Sequence, residues 1–140
     1  MYASTQDLID RFGETEIAQA SNRDMPSDGI DEAVVEQALR DASAEIDGYL
    51  SARYKLPLTH VPLVLVRVCA DLARYQLYDD RAPDQVSKRH DDSVKLLQRI
   101  STGQVALGLS SEGESPEASD GAEMESGGRV WGRSDSKGFI

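Results

Sequence analysis

Between Leu63 and Asp79 the chain is apolar on almost every side. Leu63, Val64, Leu65, Val66, Val68, Cys69, Leu72, Ala73 and Leu77 leave only Arg67, Asp71 and Arg74 as charges. Those three fall at i, i+4 and i+7, which puts them on one narrow line of an α-helix. A helix with so little polar surface belongs at the centre of a bundle, or of a bundle that also packs on other copies. Each large side chain buried there contributes roughly 1.5–3 kcal/mol, so this helix dominates stability. The rest of the chain has to cover it.

The main cover is predicted from Ile30 to Leu58. Val34, Val35, Ala38, Leu39, Ala42, Ile46, Tyr49 and Leu50 recur three or four residues apart and form one helical stripe. Asp31 is placed to cap this helix, with Ile30 as a staple on Val35. Leu56-Pro57 predicts that it ends near Tyr54. A shorter helix over 4–13, with Ser4 or Thr5 as cap and Gly13 as stop, offers Leu8, Ile9 and Phe12. Residues 14–20 add a turn or two. Pro62 suits the first turn of the central helix, and Pro83 opens another running to about Thr102. Its inner stripe reads Val86, His90, Val94, Leu97 and Ile100, and Gly103 stops it. Gln104 to Leu109 reads as short and extended, an edge strand or an arm laid on a neighbour. The expected fold is therefore all-α: a small bundle of four to five helices with an extended C-terminal arm. Leu39, Ile46, Leu50, Val68, Leu72 and Leu97 are its candidate core.

From Ser110 the character changes. Residues 110–128 are Ser, Glu, Gly and Ala with no apolar period, the composition of an acidic linker. Residues 129–140 then gather the only tryptophan, Trp131, with Val130, Phe139, Ile140, Arg129, Arg133 and Lys137. That pattern suggests a tethered docking peptide behind a linker, following a helical domain over 1–109. Net charge is −10 overall and −6 within residues 1–109. Such a balance argues against unaided binding to DNA phosphates, which calls for clustered Lys and Arg. No apolar run reaches the roughly 18 residues of a membrane span, so no membrane role is expected.

Catalytic chemistry finds no foothold. Cys69 lies in the most apolar helix, where a thiol packs rather than reacts. His90 reads as a core or interface histidine and His60 as a loop residue; with one cysteine they make no metal-ligand spacing. Asp24, Asp28 and Asp31 lack the alternation of a calcium loop and read as turn and cap residues. Asp79/Asp80 and Asp91/Asp92 are sequence neighbours and diverge. No catalytic residue, metal or cofactor is assigned, and an enzyme is not expected. The Arg67, Asp71, Arg74 line reads either as a buried ion-pair ladder or as a seam between copies. The seam is favoured, because burial inside one small domain is costly.

The run ALRDASAEIDGYLSARYKLPL, followed by VP and a helix ending ADLARYQLY, resembles the head-tail joining (connector or adaptor) proteins of Mu-like bacteriophages. DLIDRFGETEI and LLQRISTGQVALG are similar to the same family, in order. The resemblance implies a virion protein of the phage neck, made in the host cytoplasm. About a dozen copies would ring the DNA channel beneath the portal, passing double-stranded DNA without reading its sequence. The resemblance places Arg129, Val130, Trp131, Arg133, Lys137, Phe139 and Ile140 on the portal, with a stopper or tail completion protein below. Two alternatives stand beside it: an acidic DNA mimic or regulator, motivated by the charge, and a stopper in the same neck.

Overall fold

A left-handed turn at Gly13 folds the first two helices back to back. The computed structural model describes residues 1–109. It contains α1 (Thr5–Phe12), α2 (Glu14–Ser21), α3 (Glu32–Leu50), α4 (Leu63–Tyr78) and α5 (Asp84–Thr102). Short 3-10 turns lie at Pro26–Asp28 and Asp79–Arg81, and there is no strand among the described residues. The linker and docking peptide expected from the sequence lie outside the described residues.

Local chemistry sets each boundary. Ser4 and Asp7 form a reciprocal capping box: the Asp7 amide donates to Ser4 Oγ at 3.2 Å and the Ser4 amide to Asp7 Oδ2 at 2.8 Å. Asp31 caps α3 by accepting from the Val34 amide at 3.4 Å, while its own amide donates to Ser21 Oγ at 3.1 Å. That second bond ties the start of α3 to the end of α2. The helix proper stops at Leu50, earlier than the expected Tyr54. The amides of Arg53 and Tyr54 both turn back to the Leu50 carbonyl, each at 2.9 Å, so the last turn tightens before the prolines. Gly103 closes α5 in the left-handed region at φ +87°. A Cβ there would meet the Arg53 guanidinium at 2.7 Å, a flexible side-chain end that can move aside, so it is the backbone geometry that calls for glycine.

Helix α4 is the hub and packs against α1, α2, α3 and α5. Its residues 68–74 are buried without interruption. Leu39, Ile46 and Leu50 of α3, Val68 and Leu72 of α4 and Leu97 of α5 are at most 1% exposed. Two apolar positions face outward instead: Val34 at the start of α3 is 41% exposed and Leu63 at the start of α4 is 75% exposed. On α5 the buried positions are Val86, Ser93, Leu97 and Ile100, with His90 half-buried and stacked on Tyr75, ring centroids 3.9 Å apart.

The segment after α5 departs from expectation. Residues 104–109 form no edge strand and lie against their own domain. The Val105 amide donates to the Arg99 carbonyl at 3.2 Å and the Leu107 amide to the Tyr54 hydroxyl at 3.2 Å. Val105 and Leu107 pack against the core of their own domain. Alternate side chains pointing one way suit burial under any neighbour, and the end of α3 is within reach.

The hub position of α4 predicts the effect of truncating it. Leu72→Ala leaves a cavity that four helices cannot jointly fill, and should cost about 3–5 kcal/mol. Urea denaturation followed by circular dichroism measures it. The exposed Leu63→Ala should cost well under 1 kcal/mol in the same assay.

Candidate functional site

The polar line of α4 meets polar partners from two other helices and an aromatic ring from a third. Asp71, 1% exposed, accepts from Arg89 Nε of α5 at 3.0 Å, from Arg67 Nη1 one turn earlier at 3.4 Å and from Ser93 Oγ at 3.4 Å. One turn later, Arg74 Nε donates to Glu16 Oε2 of α2 at 2.6 Å, and the Tyr78 hydroxyl donates to the same oxygen at 3.0 Å. Phe12 of α1 lies between the two groups. The Arg74 guanidinium sits 4.1 Å from its ring centroid and that of Arg89 5.9 Å. The result is a ladder: Tyr78, Glu16, Arg74, Phe12, Arg89, Asp71, Arg67.

This is the buried-ladder arrangement of Arg67, Asp71 and Arg74, not the seam that the cost of burial favoured. Asp71 and Arg74 point into their own domain, and only Arg67, with 41% of its side chain exposed, reaches the surface. The cost is met locally, because Asp71 receives three donors and Glu16 two. Burial, and then the hydrogen bond to Glu16, raises the Tyr78 phenol above its ordinary value, so it stays a donor. Glu16, Arg89 and Ser93 were not singled out from the sequence. Arg89 and Ser93 do share the helical face of Val86 and Leu97, and that register was the available signal.

A second cluster fastens the N-terminus. The Tyr2 hydroxyl donates to Asp47 Oδ1, the Tyr2 amide donates to Ser43 Oγ at 3.2 Å, and Ser43 Oγ lies 3.6 Å from Cys69 Sγ. Burial pushes the Cys69 thiol up, away from the reactive thiolate. Burial likewise leads the upward shift of Tyr2, ahead of its bond to Asp47. Cys69 therefore packs and does not attack. His90 Nδ1 meets only Asp91, at 3.1 Å, beside the Tyr75 ring. Among the described residues no three His, Cys, Asp or Glu side chains are grouped to hold a metal ion. Among those residues no helix is long and apolar enough to cross a membrane.

An open cleft of about 530 Å³ lies where the end of α2, the first half of α3 and the end of α4 meet. Ala20, Ala33, Val34, Ala38 and Leu77 give it an apolar floor, and Asp41 and Asp79 contribute carboxylates. Small residues on two helices make the depression. Arg23 closes one side by donating to the Leu77 carbonyl at 2.8 Å. Asp79, the residue that ends α4, has φ +58° and ψ −128°, a conformation that favours glycine. The cleft is not legible in the sequence, because its walls are contributed by segments far apart in the chain. The expected portal-docking residues, Arg129, Val130, Trp131, Arg133, Lys137, Phe139 and Ile140, lie outside the described residues.

Ladder and cleft form surfaces and joints, not a reaction centre. The family described as Bacteriophage Mu, Gp36 matches residues 2–126. The Mu-like prophage FluMu protein gp36 of Haemophilus influenzae is 45% identical over 141 aligned positions, covering 100% of this chain and 99% of the relative. Gene product J of Escherichia phage Mu is 40% identical, covering 99% of each chain.

The ladder predicts unequal values for ion pairs that look alike in sequence. Glu16→Ala strands Arg74 and Tyr78 and should cost about 2–3 kcal/mol, somewhat below a fully dry pair because Glu16 is partly hydrated. Asp92→Ala removes an exposed partner of Lys88 and should cost at most a few tenths. Equal losses in thermal and urea denaturation would show that the ladder does not hold the helices together.

Proposed function

The chain belongs to the bacteriophage Mu Gp36 family, and from that premise we propose that it is a structural, non-catalytic protein joining head to tail in a Mu-like phage particle. The observation that carries this reading is the extent of the match. Two proteins of Mu and a Mu-like prophage align with essentially the whole chain, tail included. The finer reading is an adaptor: about a dozen copies form a ring beneath the portal, the ring carries the DNA channel, and a stopper or tail completion protein follows.

Physical features of the bundle support that reading. A domain with −6 net charge suits a channel wall along which DNA must pass without sticking. Because Asp71 and Arg74 are used internally, contact between copies falls to what α4 exposes at its start. There Leu63, 75% exposed, stands one turn before Arg67. An exposed leucine beside a half-exposed arginine is the composition of an interface core and its rim. Residues 129–140 then supply the portal contact, with Trp131, Val130, Phe139 and Ile140 as apolar anchors and Arg129, Arg133 and Lys137 as charge partners. Family membership favours the connector over the acidic-mimic alternative, whose phosphate-like array is interrupted by twelve basic residues in 1–109. A stopper in the same neck differs in one measurable respect, since it does not touch the portal.

Deleting residues 129–140 tests the portal contact. The shortened protein should keep its helical circular dichroism and a cooperative melt while lysates accumulate filled heads without tails. Normal infectious particles from the deletion would overturn the docking role.

A further inference from the structure

We propose that the cleft between α2, α3 and the end of α4 is the resting seat of the chain's own C-terminal peptide, with Trp131 on the apolar floor. The inference goes beyond the connector reading and does not depend on it. An apolar concavity of about 530 Å³ lies in the range of sites that enclose a group of a few rings, and an indole brings a large apolar area to such a floor. The floor is built from Ala20, Ala33, Ala38 and Leu77, with Val34 left 41% exposed at its edge. An exposed valine beside small residues is the complement of one large side chain, and the chain holds a single tryptophan.

Charge selects the same occupant. Asp41 and Asp79 bring carboxylates to the cleft from two different elements, against one lining cation, Arg23, which is held on the Leu77 carbonyl. Arg129 and Arg133 lie two residues to either side of Trp131, so an indole on the floor places a guanidinium on each flank. The linker has six acidic residues and no basic ones, and it is repelled by a domain that is itself acidic. Attraction is therefore confined to the tip.

Reach makes this an intrachain contact. The described chain leaves the bundle near Tyr54, just past the end of α3, where the Leu107 amide is bonded. The cleft is centred near Gln37 on α3, and thirteen residues of helix from there to Leu50 span about 20 Å. Nineteen residues of Ser/Gly/Glu-rich composition, 110–128, have a root-mean-square reach of about 24 Å. A linker whose reach matches its span gives an effective concentration in the millimolar range. Even a weak contact is then well populated within one chain. Docking on another protein would have to displace it, so the peptide is withheld until a better surface is offered.

Trp131 is its own probe. In the full chain its emission should be blue-shifted, and its acrylamide quenching several-fold weaker, compared with a synthetic 129–140 peptide. Val34→Glu, at an exposed position, should restore peptide-like emission and quenching while the helical circular dichroism spectrum and a cooperative melt are retained. Protection should persist on dilution into the nanomolar range. Peptide-like quenching in the unaltered chain overturns the proposal, as does protection that survives Val34→Glu. Protection lost on dilution overturns it too, since the occupant is then a peptide from a second copy. None of these results bears on portal attachment, which the 129–140 deletion tests separately.

Discussion

Asp71 is a carboxylate 1% exposed in the middle of the most apolar helix of the chain, and the placement of α5 answers to it. An ion buried without partners is among the costliest features a small domain can carry. Arg89 and Ser93 bring α5 to it, and Arg67 completes the set from within α4. One turn on, Arg74 sets the same demand, met by Glu16 of α2 over the face of Phe12. Hydrophobic burial brings five helices together without saying how they are rotated. The ladder adds direction, since only one rotation of α1, α2 and α5 about α4 satisfies it.

Much of this fold was legible in the sequence, and the reasons are local. The stripe through Leu39, Ile46 and Leu50, the Asp31 cap and the stop at Gly103 are all written within one or two helical turns. So is the nearly uniform apolarity of α4. The features that were not legible are those that depend on which surface lies opposite. Arg67, Asp71 and Arg74 look the same in sequence whether a neighbouring copy or α2 and α5 supply the counter-charges. Burial cost argued for the neighbour, but that argument could not see Glu16, Arg89 and Ser93 converging. Val34 keeps the period of a core residue and is left open because α2 ends beside it. The 104–109 segment carries an alternation that suits any cover, and the end of α3 happens to provide it. The cleft was invisible for the same reason, having walls from three separate stretches.

The architecture divides its labour in a way that suits a connector. A bundle locked by buried charges and a packed hub can be repeated around an axis without each copy changing shape. Beyond residue 109 an acidic stretch precedes a tip that carries three basic residues and the tryptophan, and the proposed function gives that tip the portal contact. No group in the bundle is poised for chemistry: the one thiol is buried and its pKa raised, and the half-buried histidine is stacked on a tyrosine. What the bundle offers is shape and negative charge, and both suit the proposed connector role.

The most direct measurement is electron microscopy combined with single-particle mass determination of the purified full-length protein, alone and with the portal of its own phage. The account predicts closed rings seated on the portal for the full chain and none for the protein lacking residues 129–140. Absence of any portal complex with the full chain across a range of salt concentrations would contradict it.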